Sequence, residues 1–406
     1  MSVEIKVAEG DEVLRALAPI SHYFGSAGTP PAEHMEAVTR VLPEGRMLAA
    51  VDGEAIVGGA GAFQFDLTIP GGPVPVAGVT VVGVLPTHRR RGVLRELMRT
   101  QLDGVHQRGE PLAILWASEA GIYPRFGYGL ASLSGDIEIH RSHSAYARPL
   151  EWGGQARLVP LDEAVEPLQH VYERVAAETP GMLSRTPEWW RARLLTDPEW
   201  RRSGRGEKAC TVLEVDGRPE AYALYRLNFS FEGNLSTGVT EVAEAVGASP
   251  AATAAIWRFL LDVDWMERVK AELLPLDHPL LHLVAELNRL RFGVGDGIWV
   301  RLVDVGAALA ARSYAGDGDG DGDVVIAVAD EFCPWNDARF SLDGSKTTAP
   351  PDLRLDVDAL GSAYLGGFTV AQLARAGRVD ELTAGAVERA DALFRTGRAP
   401  WTPEIF

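Results

Sequence analysis

Apolar and polar residues alternate with period two over residues 3–7, then shift to helical spacing over residues 11–24. Residues 47–51 and 55–69 read as strands joined at Asp52 and Gly53, a strong hairpin signal. A Gly/Pro turn over residues 70–73 leads into a β-rich run ending at Val84. Residues 92–107 have helical periodicity. Residues 111–116 form a short, nearly continuous apolar run of the kind buried at a sheet centre. Residues 137–140 predict a last strand for this first part.

The middle of the chain, residues 154–292, repeats that plan. Helices are predicted over residues 161–178 and 188–195, and strands over 210–215, 220–226 and 237–243. A helix over 250–261 and a strand over 269–273 follow. The run Gly78, Val79, Thr80, Val81, Val82, Gly83 has a counterpart in Gly238, Val239, Thr240, Glu241, Val242, Ala243. Where the first copy continues into His88, Arg89, Arg90, Arg91, Gly92 and Val93, the second has Gly247, Ala248, Ser249, Pro250, Ala251 and Ala252. The last part mixes strands (299–303, 324–329, 352–357) with helices (305–312, 358–365, 369–376) in a different order. That order predicts a separate α+β domain.

The length of 406 residues agrees with several domains. With 46% hydrophobic and 23% charged residues, the composition is that of an ordinary globular protein. The formal net charge of -17 argues against nucleic acid as a partner, which would need a basic face. An acidic surface favours cationic ligands, although acidity for solubility alone is an equal reading. Cys210 and Cys333 stand far apart, with no second cysteine or histidine at ligand spacing, so neither a disulfide framework nor a metal site is expected. The first residues lack a basic region followed by an apolar core, and no apolar run reaches membrane-spanning length. The expectation is a cytoplasmic protein with no membrane partner. The alternating Gly/Asp run over residues 316–323 invites a calcium reading. With Asp317 as first ligand, however, Val328 falls at the twelfth position, where a glutamate is needed. A flexible acidic loop is the better reading.

The chemistry is concentrated in one turn. Arg89, Arg90, Arg91, Gly92, Val93 and Leu94 follow a strand and open a helix. Cations at a helix N-terminus oppose the macrodipole unless an anion is bound there. Backbone N–H groups at that position, with Gly92 permitting close approach, suit a pyrophosphate, and guanidinium forks suit its oxygens. The preceding residues Val82, Gly83 and Val84 can offer strand-edge groups to an amide-bearing arm, as an added strand would. A basic helix start on a solvated surface is the bland alternative.

This turn resembles the acetyl-CoA signature of the GNAT superfamily, R/Q-x-x-G-x-G/A, with Leu94 in place of the final Gly or Ala. Together with residues 117–129, which include Ile122, Tyr123, Pro124, Arg125, Phe126, Gly127 and Tyr128, the pattern resembles the Eis (enhanced intracellular survival) family of N-acetyltransferases. Residues 296–301 and 360–366 and a C-terminal Phe extend the resemblance over nearly the whole chain. The family implies an α+β fold of tandem GNAT-type mixed-sheet domains followed by a sterol-carrier-protein-like domain. The corresponding boundaries here are 1–150, 151–295 and 296–406, with no CoA motif in the second. It implies acetyl-CoA as cosubstrate, no metal, a homohexamer, and acetyl transfer to amines of a small polycationic molecule such as an aminoglycoside. Carried over by position, CoA would contact Val82, Gly83, Val84, Arg90, Arg91, Gly92, Val93, Leu94 and Arg95, with Ser118 and Glu119 near the thioester. Tyr123 matches the general acid, with Tyr128 its rival. The C-terminal carboxylate of Phe406 matches the base, though it could equally orient an ammonium group. Asp296 matches a substrate-pocket acid, or it caps an Asp-Gly turn. Ile405 stands where an acidic residue would help hold an amino sugar. Two other functions remain open: a protein lysine acetyltransferase, and a lipid- or CoA-binding protein using the last domain.

Overall fold

The hairpin signal near residue 52 is realised by Gly53 at φ 64°. β2 (Met47–Asp52) and β3 (Ala55–Ile69) pair antiparallel down to Asp52 opposite Ala55, so the two-residue loop is Gly53-Glu54. The computed structural model describes residues 3–25, 32–316 and 324–406, and residues 317–323 of the Gly/Asp run lie outside them. The remaining strands are β1 (Glu4–Val7), β4 (Gly72–Val84), β5 (Leu112–Trp116), β6 (Gly129–Leu130), β7 (Leu133–His140), β8 (Gln155–Leu158), β9 (Lys208–Val215) and β10 (Arg218–Asn228). A small hairpin of β11 (Phe231–Glu232) and β12 (Leu235–Ser236) precedes β13 (Gly238–Gly247), β14 (Met266–Leu274), β15 (Gly293–Asp296) and β16 (Ile298–Leu302).

The chain divides into two units, one of Met1–Ser132, Ile298–Gly397 and Ile405–Phe406, the other of Leu133–Gly297 and Arg398–Glu404. In the first unit a seven-stranded sheet has the order β1-β2-β3-β4-β5-β16-β6. All its pairings are antiparallel except β4–β5, which the helix Val93–Gln107 connects. That helix buries Val93, Leu97, Met98, Leu102 and Val105, the stripe that a 3.6-residue period predicts.

The same unit holds a second sheet formed by Ile326–Ala329, Ala338–Phe340, Leu353–Asp356 and Val379–Glu381. The helix Val357–Tyr364 packs on the first sheet through glycine. A Cβ on Gly361 would meet the Val300 carbonyl at 2.5 Å, and one on Gly129 would meet the Asp358 carbonyl at 1.8 Å. The small residues at 360–366 thus permit backbone-to-backbone approach. Arg301, fully buried in β16, is neutralised by Asp330 through Nη2 contacts of 2.9 and 2.7 Å, and Asn336 adds a third bond to that carboxylate.

The second unit is built around a sheet of order β15-β7-β14-β13-β10-β9-β8. It too has a single parallel pair, β13–β14, connected by the helix Pro250–Leu261. The tandem mixed-sheet plan is therefore present, and the fold is α+β. Two strands sit elsewhere than their sequence positions suggest. β7, expected to end the first part, lies in the seven-stranded sheet of the second unit. β16, expected in the last part, lies between β5 and β6 of the first. All five residues of β16 are buried, which a strand with neighbours on both edges and both faces requires, but its period does not say which sheet supplies them.

Candidate active site

In β4 the antiparallel ladder to β3 continues as far as Val84, while the parallel ladder to β5 runs only from Val76 to Gly78. The two strands part there. A register shift in the β3–β4 ladder and Val81 at φ 50°, a strained value for a β-branched residue, mark a bulge just beyond the last paired residue. Val82 is half-buried, and Gly83 and Val84 are buried. Gly83 and Val84 thus pair on the β3 side only, and Val82 lies in the bulge.

Next along the chain, the Arg turn puts Arg90 at φ 61° and Gly92 at φ 84°. Left-handed residues in such a turn converge backbone N–H groups into a concavity that takes anions. Gly92 is the N-cap of Val93–Gln107, and no side chain caps that end, so the first N–H groups of the helix are not used up within it. Arg89, Arg90, Arg91 and Arg95 are exposed around it. Arg89 stacks on the Tyr23 ring at 4.5 Å, and Tyr23 Oη donates to the Val84 carbonyl at 2.5 Å, which ties the turn to the strand end. Leu94, the departure from the GNAT pattern, turns its side chain to the core clusters that also take Val82, while Gly92 stays exposed. Val93 is buried.

Ser118 and Glu119 are exposed just after β5, and Glu119 precedes the turn of helix Ala120–Phe126 that carries Tyr123. Tyr123 is 8% exposed. Burial, with a contribution from the Glu119 charge, pushes its phenol up to about 12. Tyr128, its edge-on neighbour at 6.0 Å, is fully buried, and its hydroxyl has no hydrogen-bond partner among the described residues. Burial pushes its pKa higher still. Of the two phenols, Tyr123 is the one with access to solvent.

Phe406 is buried against Phe65, with ring centroids 5.4 Å apart, and a Cβ on Gly78 would lie 3.3 Å from its ring. Tyr123 shares a core cluster with Ala77 and Val79, which point to the other face of β4. The two candidate catalytic residues thus flank β4 from opposite faces, where it leaves β5. Asp296 is exposed at the end of β15, opposite Leu133, in the other unit. Ile405 is 60% exposed.

Residues 4–131 and 181–302 match two models of the acetyltransferase (GNAT) domain, and residues 305–403 match a sterol carrier protein domain. The chain is 40% identical to an N-acetyltransferase of Streptomyces avermitilis, over 100% of both proteins. It is 34% identical to the N-acetyltransferase Eis of Mycobacterium tuberculosis, over 84% of each. The chain belongs to the Eis family of GNAT N-acetyltransferases. The crystal structure of Eis1 from Mycobacterium abscessus superposes with a TM-score of 0.85 at 37% identity, covering 99% of this chain and 100% of that one. A GCN5-related N-acetyltransferase from Anabaena variabilis shares the fold, with a TM-score of 0.85 at 20% identity. The protein is therefore an N-acetyltransferase. GNAT acetyltransferases use acetyl-CoA, and among the described residues no helix is long and apolar enough to cross a membrane.

Sequence reasoning missed a buried polar cluster in the second unit. Arg185, 5% exposed, donates through Nε to Glu404 at 2.6 Å and through both Nη atoms to Glu244 at 2.9 and 2.6 Å. Its guanidinium lies 3.9 Å from the Tyr172 ring centroid and 4.6 Å from that of Trp190. Trp189 Nε1 donates to the second Glu404 oxygen at 2.7 Å, and Tyr222 Oη to Glu244 at 2.5 Å. The one signal in the sequence was an arginine beside the apolar pair Met182 and Leu183, and no local pattern links it to Glu404.

Proposed function

We propose that this Eis-family enzyme transfers acetyl from acetyl-CoA to primary amines of a small polycation, with aminoglycosides as one candidate class. The observation that carries the reading is the parting of β4 from β5 beside an uncapped, arginine-ringed helix N-terminus, with Tyr123 and Phe406 on opposite faces of the same strand. The residues present fit CoA: the turn offers backbone N–H groups and guanidinium forks to pyrophosphate, and residues 82–84 offer a strand edge to the pantetheine amides. Ser118 and Glu119 flank the thioester end in this reading.

Bound there, acetyl-CoA supplies the activated acyl group. A backbone N–H near Val82 stabilises negative charge on the carbonyl oxygen. Tyr123, kept neutral by burial, hands its Oη proton to the departing sulfur. The Phe406 carboxylate orients the cationic amine, which loses a proton to it or to water; the neutral nitrogen then attacks the acetyl carbonyl, and the N–C bond forms as the C–S bond breaks. A small polycation suits a chain with a net charge of -17. The enzyme is a homo-oligomer in this reading, which light scattering on purified protein tests.

The test of function is CoA release from acetyl-CoA with a panel of polyamines, aminoglycosides and lysine peptides. Turnover confined to small polycations supports the proposal. Turnover confined to lysine peptides moves the substrate to proteins, and no release with any amine removes the proposal.

A further inference from the structure

The second sheet repeats the groove of the first. β13 and β14 pair in parallel from Gly238 opposite Met266 to Val242 opposite Ala271, and no further. The ladder from β13 to β10 continues to Gly247 across a register shift, and Leu273 of β14 stands at φ 58°. As where β4 leaves β5, the parallel ladder stops while the antiparallel one runs on, although the left-handed residue here is on β14, the counterpart of β5. The nearby helix end differs. Ser249 Oγ accepts from the Ala252 N–H and Pro250 occupies the first turn, so the N-terminus of Pro250–Leu261 is capped from within and presents no cradle for pyrophosphate.

The groove itself is filled by this chain's own tail. Residues 242–245 of β13 and 271–274 of β14 line it together with Trp401 and Pro403. Trp401 Nε1 donates to the Leu273 carbonyl at 2.5 Å and its backbone N–H to the Pro180 carbonyl at 2.8 Å. Thr402 Oγ1 donates to the Gly181 carbonyl at 2.7 Å. The run ends at Glu404, which is buried and held by Arg185 and Trp189, while Arg185 is fixed in turn to Glu244 of β13. Every step from Trp401 to Glu404 is tied to the second unit, except Pro403, which wedges. Only Ile405 then separates Glu404 from Phe406.

We infer that this second groove is a clamp for the C-terminal segment, and that Arg185, Glu404 and Trp401 are positioning residues that present the terminal carboxylate of Phe406 for catalysis. The inference rests on the reading of that carboxylate as a catalytic group. Packing of the Phe406 ring on Phe65 does not by itself fix its α-carboxylate, and misplacement by about 1 Å can cost a reaction about a hundredfold. A clamp two residues upstream removes that freedom. It also gives the second GNAT-like sheet a role that needs no CoA.

Three variants of the full-length enzyme test this: one lacking Phe406, Glu404→Gln, and Trp401→Phe, which keeps the ring but loses the indole N–H. Initial rates give kcat and KM, and carboxypeptidase A trimming of the terminal Phe, followed by intact mass, reports how firmly the end is held. The expected result is loss of turnover without Phe406. In the two point variants, kcat should fall at least about tenfold with KM for acetyl-CoA unchanged, and Phe406 should be trimmed faster than in the wild type. If loss of Phe406 abolishes turnover while both point variants keep wild-type kcat and trimming rates, the clamp is overturned and the catalytic carboxylate stands. If the enzyme lacking Phe406 turns over normally, the catalytic reading falls and takes the positioning role with it. Should Glu404→Gln fail to fold, Trp401→Phe decides between these outcomes alone.

Discussion

A phenol serves as an acid only while it holds its proton, and Tyr123 sits where burial and the Glu119 charge both favour the neutral form, pushing its pKa up to about 12. For a group whose folded-state pKa is raised, the stabilisation is complete below the unfolded value of about 10 and is lost as pH rises toward the folded value. Tyr123 should therefore cause no loss of kcat below about pH 10, and an alkaline limb below that pH that disappears in Tyr123→Phe would contradict this. Tyr123→Phe preserves the ring and removes only the proton. It should lower kcat by about 10²-fold, the usual contribution of a positioned acid, with KM for acetyl-CoA little changed. Tyr128→Phe should change kcat far less, because that hydroxyl is fully buried. Steady-state rates for the two variants side by side distinguish the phenols.

At the scale of elements, the contrast between two helix N-termini supports the proposed CoA position. Val93–Gln107 begins at an exposed Gly92 without a side-chain cap, among arginines, whereas Pro250–Leu261 begins at Ser249 with its own cap. Arg90→Glu and Arg91→Glu should each raise KM for acetyl-CoA about tenfold. Because surface charges are screened at a Debye length near 10 Å in 0.1 M salt, they should also flatten its dependence on ionic strength. A KM that keeps its wild-type salt dependence in both variants would move the pyrophosphate elsewhere. Gly92→Ala meets open space, but its φ of 84° penalises any Cβ, at about 1–2 kcal/mol in the left-handed region. A fall of several degrees in Tm by calorimetry checks it.

This turn was legible in the sequence because its chemistry is local, a strand, three arginines, a glycine and a helix in succession. The apposition of Phe406 to β4 was not legible, since nothing in residues 401–406 points to Gly78; the family resemblance implied only a role for its carboxylate. The Arg185 cluster was illegible, because its members are scattered from Arg185 to Glu404 and each is unremarkable in its own neighbourhood.

At the scale of the whole molecule, the sheets do not follow the order of the chain. β16, contributed from after the second unit, is the middle member of β5-β16-β6, pairing antiparallel with β5 from Ile298 opposite Trp116 to Leu302 opposite Leu112. Without it β5 loses one ladder, β6 loses its one strand partner among the described residues, and Ile114 and Leu115, now buried, gain an exposed edge. An unpaired apolar edge invites association with other chains. A fragment ending at Ser132 contains every residue proposed to contact CoA and matches the GNAT domain model over residues 4–131. Sequence alone would take it for a self-sufficient domain. The sheet order predicts otherwise. The fragment should aggregate or melt without a cooperative transition, whereas adding residues 298–397 as a second polypeptide should restore a soluble complex with a single transition. Circular dichroism melts and light scattering on the fragment, alone and mixed, make the comparison. A cooperatively folding monomer of residues 1–132 would mean that β16 is dispensable to the first sheet.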